Sequence, residues 1–296
     1  MRSSCPPRGR AESMAQVLSL GSTCNNACVF CAQGERSVSP EREAEGLVLS
    51  RRVCVEPGDV VYVQGGEPTI ADDLPAVIRD LDERGARRIV VQTNGRRLAY
   101  RSYARALREA SRKLSLDVSL HGSTEPMHDY HTQTPGSFKQ TALGVRHARA
   151  EGIEACVTTV ITRSNYRHLV EIVQLARALG ARAVHLARAE RFGRAARAAD
   201  RIVAPDELVR PHLVRALAEA SRLGMGSLAG ERASSAEVRE LFAGLGEVEI
   251  AKAATVGSSR EAPGADVATS DKNFVEASRL VRAKPPSVNR SIAWER

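Results

Sequence analysis

Between residues 16 and 222, short runs rich in β-branched residues alternate with longer segments whose apolar residues recur at helical spacing. This alternation constrains the fold more than any other feature of the chain. Six strand candidates emerge: QVLSL (16–20), DVVYVQ (59–64), RIVVQT (88–93), LSLDVSL (114–120), EACVTTVIT (154–162) and ARAVHLA (181–187). Strands separated by helices pair in parallel through right-handed crossovers. The expected architecture is therefore α/β, a parallel (β/α)6 sheet that is either open or partly closed as a partial (β/α)6 barrel of the TIM type, short of the eight units that close such a barrel.

The intervening segments carry start and stop signals. Ser39 and Pro40 open PEREAEGLVLS, Ser137 with Gln140 reads as a capping box, and Asn165 precedes HLVEIVQLARALG, which ends at Gly180. Pro211 inside PDELVRPHLVRALAEASRLG predicts a kink or a helix start there. After Gly224 the rhythm fails and Ser, Ala, Gly and Pro dominate. The organisation that follows is a tail over 1–15, a barrel over 16–222, and an extension over 223–296. That extension is expected to be small, loosely packed and partly disordered, with helices at SSAEVRELFAGLG and NFVEASRLVRA and a strand at EVEIAKA.

Composition narrows the function classes. No run approaches the roughly 20 apolar residues that span a bilayer, and MRSSCPPRGRAES leads into nothing like the apolar part of a secretory signal, so a cytoplasmic location without membrane contact is expected. The net charge is +8, but the Arg residues are scattered along Ala-rich helices, which reads as solvated faces rather than a nucleic-acid footprint. Of the six cysteines, Cys24, Cys28 and Cys31 cluster while Cys5, Cys54 and Cys156 are dispersed, a pattern that suits a reducing compartment and a metal site.

In a parallel strand-helix fold, ligands gather where the strands end. The cysteine triplet follows the first strand, GGEP (65–68) the second, TNG (93–95) the third, SLHG (119–122) the fourth, TRSN (162–165) the fifth and ARAERFGRA the sixth. Polar, Gly-rich segments at every end locate one site on one face. Plainer readings stand beside this one: a zinc site completed by Cys54 or a His, a Gly-Pro turn at GGEP, and a tight turn at Asn94 and Gly95. The long segment HGSTEPMHDYHTQTPGSF suggests a functional lid. It brings His121, His128, Asp129 and His131 as acid-base candidates, although Asp129 could equally brace the turn. Cys156, within a strand, is a small buried residue or a hydrogen-donor thiol.

Cys24, Cys28 and Cys31 form CxxxCxxC, with Phe30 before the last cysteine, and GGEP follows at the neighbouring strand end. Together these segments resemble the radical SAM superfamily over residues 16–222. The resemblance implies that the three cysteines hold a 4Fe-4S cluster whose fourth iron binds S-adenosyl-L-methionine. Reductive cleavage of that cofactor would yield a 5′-deoxyadenosyl radical that abstracts hydrogen from a small metabolite or a peptide. It further implies cofactor contacts from Phe30, Gly65, Gly66, Glu67 and Pro68, with Glu67 supplying negative charge near the methionyl amino group. Ser119 would meet the ribose or carboxylate, Arg163 or Thr159 the carboxylate, and the backbone around Leu186 the adenine. His121, Asp129 and Cys156 remain the catalytic candidates. A flavodoxin or ferredoxin is the expected electron donor, drawn by the basic surface. An RNA-modifying member and a non-catalytic iron-sulfur redox or sensor protein are the alternatives. No second cysteine cluster follows Gly224, so an auxiliary-cluster member is not expected.

Overall fold

The computed structural model describes residues 15–32 and 54–230. Seven strands form one parallel sheet in chain order: β1 Ala15–Ser19, β2 Val60–Gln64, β3 Arg88–Thr93, β4 Leu114–Ser119, β5 Glu154–Ile161, β6 Ala183–Arg188 and β7 Gly226–Gly230. The order β1 to β7 leaves β1 and β7 as edges, so the sheet is a barrel that does not close. The α-helices are α1 Leu74–Glu83, α2 Arg101–Ala110, α3 Glu125–Thr132, α4 Ser137–Ala150, α5 Leu169–Leu179, α6 Arg194–Arg197, α7 Ala199–Ile202 and α8 Asp206–Arg222. The tail, the helix expected at PEREAEGLVLS and the elements expected after residue 230 lie outside the described residues.

Because side chains alternate along a strand, the sheet has two unlike faces. Outward residues such as Val61, Val63, Ile89, Val91, Leu116, Val157, Val184 and Leu186 join the helices in the main core. Inward residues Val60, Tyr62, Val90, Cys156 and Ala183 form a separate small apolar cluster. Both faces of a parallel sheet must be covered, which explains why its strands read as nearly continuous apolar runs.

All six expected strands are present. The seventh was not expected, because GSLAG lacks the β-branched run that marked the others. Its ladder with β6, from Ala183↔Gly226 to Ala187↔Gly230, specifies it, so the sheet continues past residue 222. Other local signals were redirected. Ser137 is the first residue of α4 rather than its cap. Gly136 precedes it without a side-chain cap bond, and the Ser137 hydroxyl donates to Asp129 Oδ1 at 2.8 Å. Helix α8 starts before Pro211 and passes through it, so that proline does not begin the helix. Gly180 does end α5, at φ +103°, with its N–H on the Ala176 carbonyl. The segment read as a lid is instead α3, a turn and the start of α4, with His128, His131 and Thr132 buried.

Candidate functional site

The segment 20–32 leaves β1 and crosses the C-terminal end of the sheet, where four other connections grip its backbone. From the β2 end, Gly66 N–H donates to Gly21 O (2.8 Å) and Glu67 N–H to Thr23 O (2.9 Å). These bonds require a very close approach: a Cβ on Gly66 would lie 2.2 Å from Thr23 O, and one on Gly65 2.6 Å from Gly21 O. The glycines therefore seat GGEP against the segment that carries the cysteines. No described residue donates to the carbonyls of Gly65 or Gly66.

From the β3 end, the Asn94 amide donates to Asn25 Oδ1 (2.6 Å), and the Arg96 guanidinium reaches Asn25 O (2.5 Å) and Asn26 Oδ1 (2.8 Å). From the end of α3, the carbonyls of Thr132 and His131 accept from Ala27 and Val29, each at 2.9 Å. Beyond β6, Arg194 N–H donates to Cys31 O (3.0 Å), and Gly193 at φ +57° passes so close that a Cβ would lie 2.4 Å from that oxygen.

Glu67 ties two of these connections together. It is 3% exposed, and its carboxylate accepts from Thr69 N–H (3.0 Å), the Thr69 hydroxyl (2.6 Å), the Thr93 hydroxyl (2.6 Å) and Asn94 N–H (2.6 Å). A buried carboxylate needs such donors, and here they join the β2 and β3 ends. Pro68, also buried, opens the 3-10 turn that Glu67 caps.

Cys24 is exposed and Cys28 and Cys31 are half-buried, all three as free thiols. Burial, reinforced by Cys24 and Cys31, pushes the Cys28 thiol up to about 12. Among the described residues no three His, Cys, Asp or Glu side chains converge on a single metal ion. A mononuclear site needs that convergence. An iron-sulfur cluster does not, since each thiolate binds its own iron, and three soft donors in one clamped segment fit that group.

Phe30 lies edge-on to His121, ring centroids 4.8 Å apart, and tilted 6.0 Å from His131. His121 is buried, with Nδ1 accepting from Val160 N–H (3.2 Å), and its backbone N–H donates to His128 Nδ1 (3.1 Å). Burial, with His128 and His131 nearby, holds His121 well below its ordinary value, and burial lowers His128 to about 4. Asp129 serves the α3–α4 turn, accepting from Gly136 N–H (2.6 Å), Ser137 Oγ (2.8 Å) and Phe138 N–H (2.8 Å). Burial would raise its pKa, but these bonds hold it below the ordinary value.

The remaining expected residues fall at different places. Ser119 is half-buried on the inward face at the end of β4. Arg163 is exposed, its Nε donating to Val203 O at 3.1 Å. Thr159 faces outward and donates to Leu120 O (2.6 Å), and the Leu186 side chain is sealed in the helix-facing core. Cys156 is fully buried on the inward face. Sequence reasoning gave no role to Arg96, Arg194 or the α3 carbonyls. Arg was too common to single out, and backbone acceptors carry no side-chain signature.

The profile of the radical SAM superfamily matches residues 18–176, more than half of the chain. An AdoMet-dependent heme synthase of Oleidesulfovibrio alaskensis is 28% identical over 191 residues, covering 62% of this chain and 48% of that protein. A "Probable GTP 3′,8-cyclase" of Metallosphaera sedula is 31% identical over 173 residues, 57% of this chain and 53% of that one. The chain thus spans about half the length of these curated relatives. Streptococcus suis SuiB bound to its precursor peptide SuiA superposes with a TM-score of 0.57 at 16% identity, over 77% of this chain and 51% of that one. A second structure, anSMEcpe with bound AdoMet, gives 0.55 at 18% identity, over 74% and 64%. At such identities the likeness is one of fold.

Proposed function

The chain belongs to the radical SAM superfamily, whose members use a 4Fe-4S cluster and S-adenosylmethionine, and on that premise we propose that it is itself a radical SAM enzyme acting on a small metabolite or a peptide. The observation that carries this reading is the clamped segment: three free thiols presented at the strand ends, with backbone held from four other connections. Cys24, Cys28 and Cys31 would hold the cluster. When bound, cluster and cofactor supply reductive cleavage to a 5′-deoxyadenosyl radical able to take hydrogen from an unactivated carbon.

The chain's own residues do the rest. The Gly65 and Gly66 carbonyls, without a donor among the described residues, would accept from the methionyl ammonium group. Glu67, held by four donors, fixes the turn that presents them and adds a buried negative charge nearby. Phe30 packs the cysteine segment against the His121 ring and keeps water from that side. Ser119, half-buried on the inward face, would meet the ribose or carboxylate. Arg163 would have to leave Val203 to do so, and Leu186 could offer only its backbone. His121 is the strongest catalytic candidate, being a buried neutral imidazole beside Phe30. Asp129 braces a turn, and Cys156 lies below the open part of the lumen. The basic surface suits an acidic flavodoxin or ferredoxin as electron donor. Among the described residues no helix is long and apolar enough to cross a membrane.

Anaerobic reconstitution followed by dithionite and S-adenosylmethionine should give 5′-deoxyadenosine, and Cys28→Ala should lose both the iron and the product. A fully loaded, reducible protein that forms no 5′-deoxyadenosine would overturn the enzymatic reading and favour a redox or sensor role.

A further inference from the structure

The inward face of the sheet has a floor and a polar layer above it. Tyr62, Val90, Cys156 and Ala183 close the floor, none more than 6% exposed. Gln92 on β3 stands in register with Asp117 on β4, and Thr158 on β5 with His185 on β6, one inward step nearer the strand ends. Thr158 Oγ1 donates to Asp117 Oδ1 at 2.5 Å and Gln92 Nε2 to Oδ2 at 3.4 Å, while His185 Nδ1 lies 3.4 Å from Thr158 Oγ1. The single Thr158 proton goes to Asp117, so its oxygen faces His185 as an acceptor. Asp117 is 6% exposed, but Gln92, Thr158 and His185 are only half-buried, as is Ala187 above them. The lumen therefore reaches this layer from the strand ends and stops at the floor.

Among the described residues the titratable cation of this layer is His185, which reaches Asp117 through Thr158. Among the described residues no Lys or Arg pairs with Asp117. Arg88, inward on β3, is turned below the floor to Ser115 (3.0 Å) and Glu154 (3.3 Å). A carboxylate held by two neutral donors, with the His185 imidazole one hydroxyl away, keeps free acceptor positions in a buried place, and a cationic nitrogen can donate to them. Burial accordingly raises the Asp117 carboxyl above its ordinary value, with Thr158, His185 and Gln92 opposing that rise.

We infer that this layer recognises a protonated amine on the substrate: Asp117 accepts from the ammonium group, and Thr158 and Gln92 are positioning residues that aim the carboxylate. The inference rests on the enzymatic reading only in calling the ligand a substrate. The amine could belong to a free metabolite or to a lysine side chain of a peptide, two sources of one chemistry.

The test is isothermal titration of the reconstituted full chain, with S-adenosylmethionine present, by n-butylammonium, n-butanol, butyrate and N-acetyl-lysine methylamide. At least one ammonium probe should bind tenfold or more tighter than butanol, and butyrate should not bind. Binding of butylammonium alone marks a small amine, and binding of the lysine derivative as well marks a peptide side chain. Asp117→Asn should remove the preference while iron content and S-adenosylmethionine affinity stay at wild-type values. Thr158→Val, nearly isosteric, should weaken ammonium binding severalfold and leave butanol unchanged. Equal affinity for ammonium and butanol in the wild type would sink the proposal without any variant, as would a preference that survives Asp117→Asn. Failure to form 5′-deoxyadenosine with the ammonium preference intact would instead remove the enzymatic reading alone.

Discussion

At the scale of single residues, Glu67 shows how a motif position can be correct while its task is found elsewhere. Its charge lies near the cysteines, but its two oxygens are held by Thr69, Thr93 and Asn94. Glu67→Gln turns one acceptor into a donor facing donors and should cost about 2 to 3 kcal/mol. Chemical denaturation would measure this, with lowered iron uptake as the companion effect. The histidines give a pH prediction. His121, His128 and His131 all have folded values below the ordinary 6.5, so above that pH they are neutral in both states. As pH falls through 6.5 the unfolded chain takes up protons that the folded one refuses, down to about 4 for His128, so stability drops across that window. Thermal unfolding of the cluster-free protein should show this slope. His128→Asn, whose Oδ1 can still accept from His121 N–H, should reduce the proton uptake by about one. Asn94 was legible in the sequence as a turn residue. Its bond to Asn25 was not, because the partners lie far apart in the chain.

Among the elements, α3 does the least expected work. Its sequence, EPMHDYHT, reads as a loop, yet it is a short helix whose last carbonyls hold the cysteine segment and whose Asp129 caps the next helix. A carboxylate reaching from another element serves the α4 N-terminus in place of the expected capping box. Asp129→Ala should cost about 1 to 2 kcal/mol by denaturant unfolding, whereas Gln140→Ala, the other half of that box, should cost less than Asp129→Ala. Equal costs would restore the local cap. Strands were more legible than caps because short β-branched apolar runs are set by neighbours in the chain, whereas a cap can be supplied from anywhere in space.

For the whole molecule, the unclosed sheet decides where protection and access lie. Pairing with β7 makes β6 an interior strand, so amides in 183–188 should resist hydrogen exchange about as well as those in 114–119, with β1 and β7 exchanging first. Mass-spectrometric exchange would show it. Edge-like exchange in 183–188 would mean that β7 does not pair. The sequence by itself determined the parallel strand-helix order, the first six strands, and the gathering of cysteines and GGEP at one end, because apolar runs and motif spacing are local properties. Only the tertiary structure decided that a Gly- and Ala-rich segment becomes a seventh strand, that four other connections meet on the cysteine segment, and that Asp117, Thr158 and His185 share one inward layer. Each of these depends on register and contact between residues distant in the chain, and hydrogen bonds and buried charge are satisfied in space rather than in sequence.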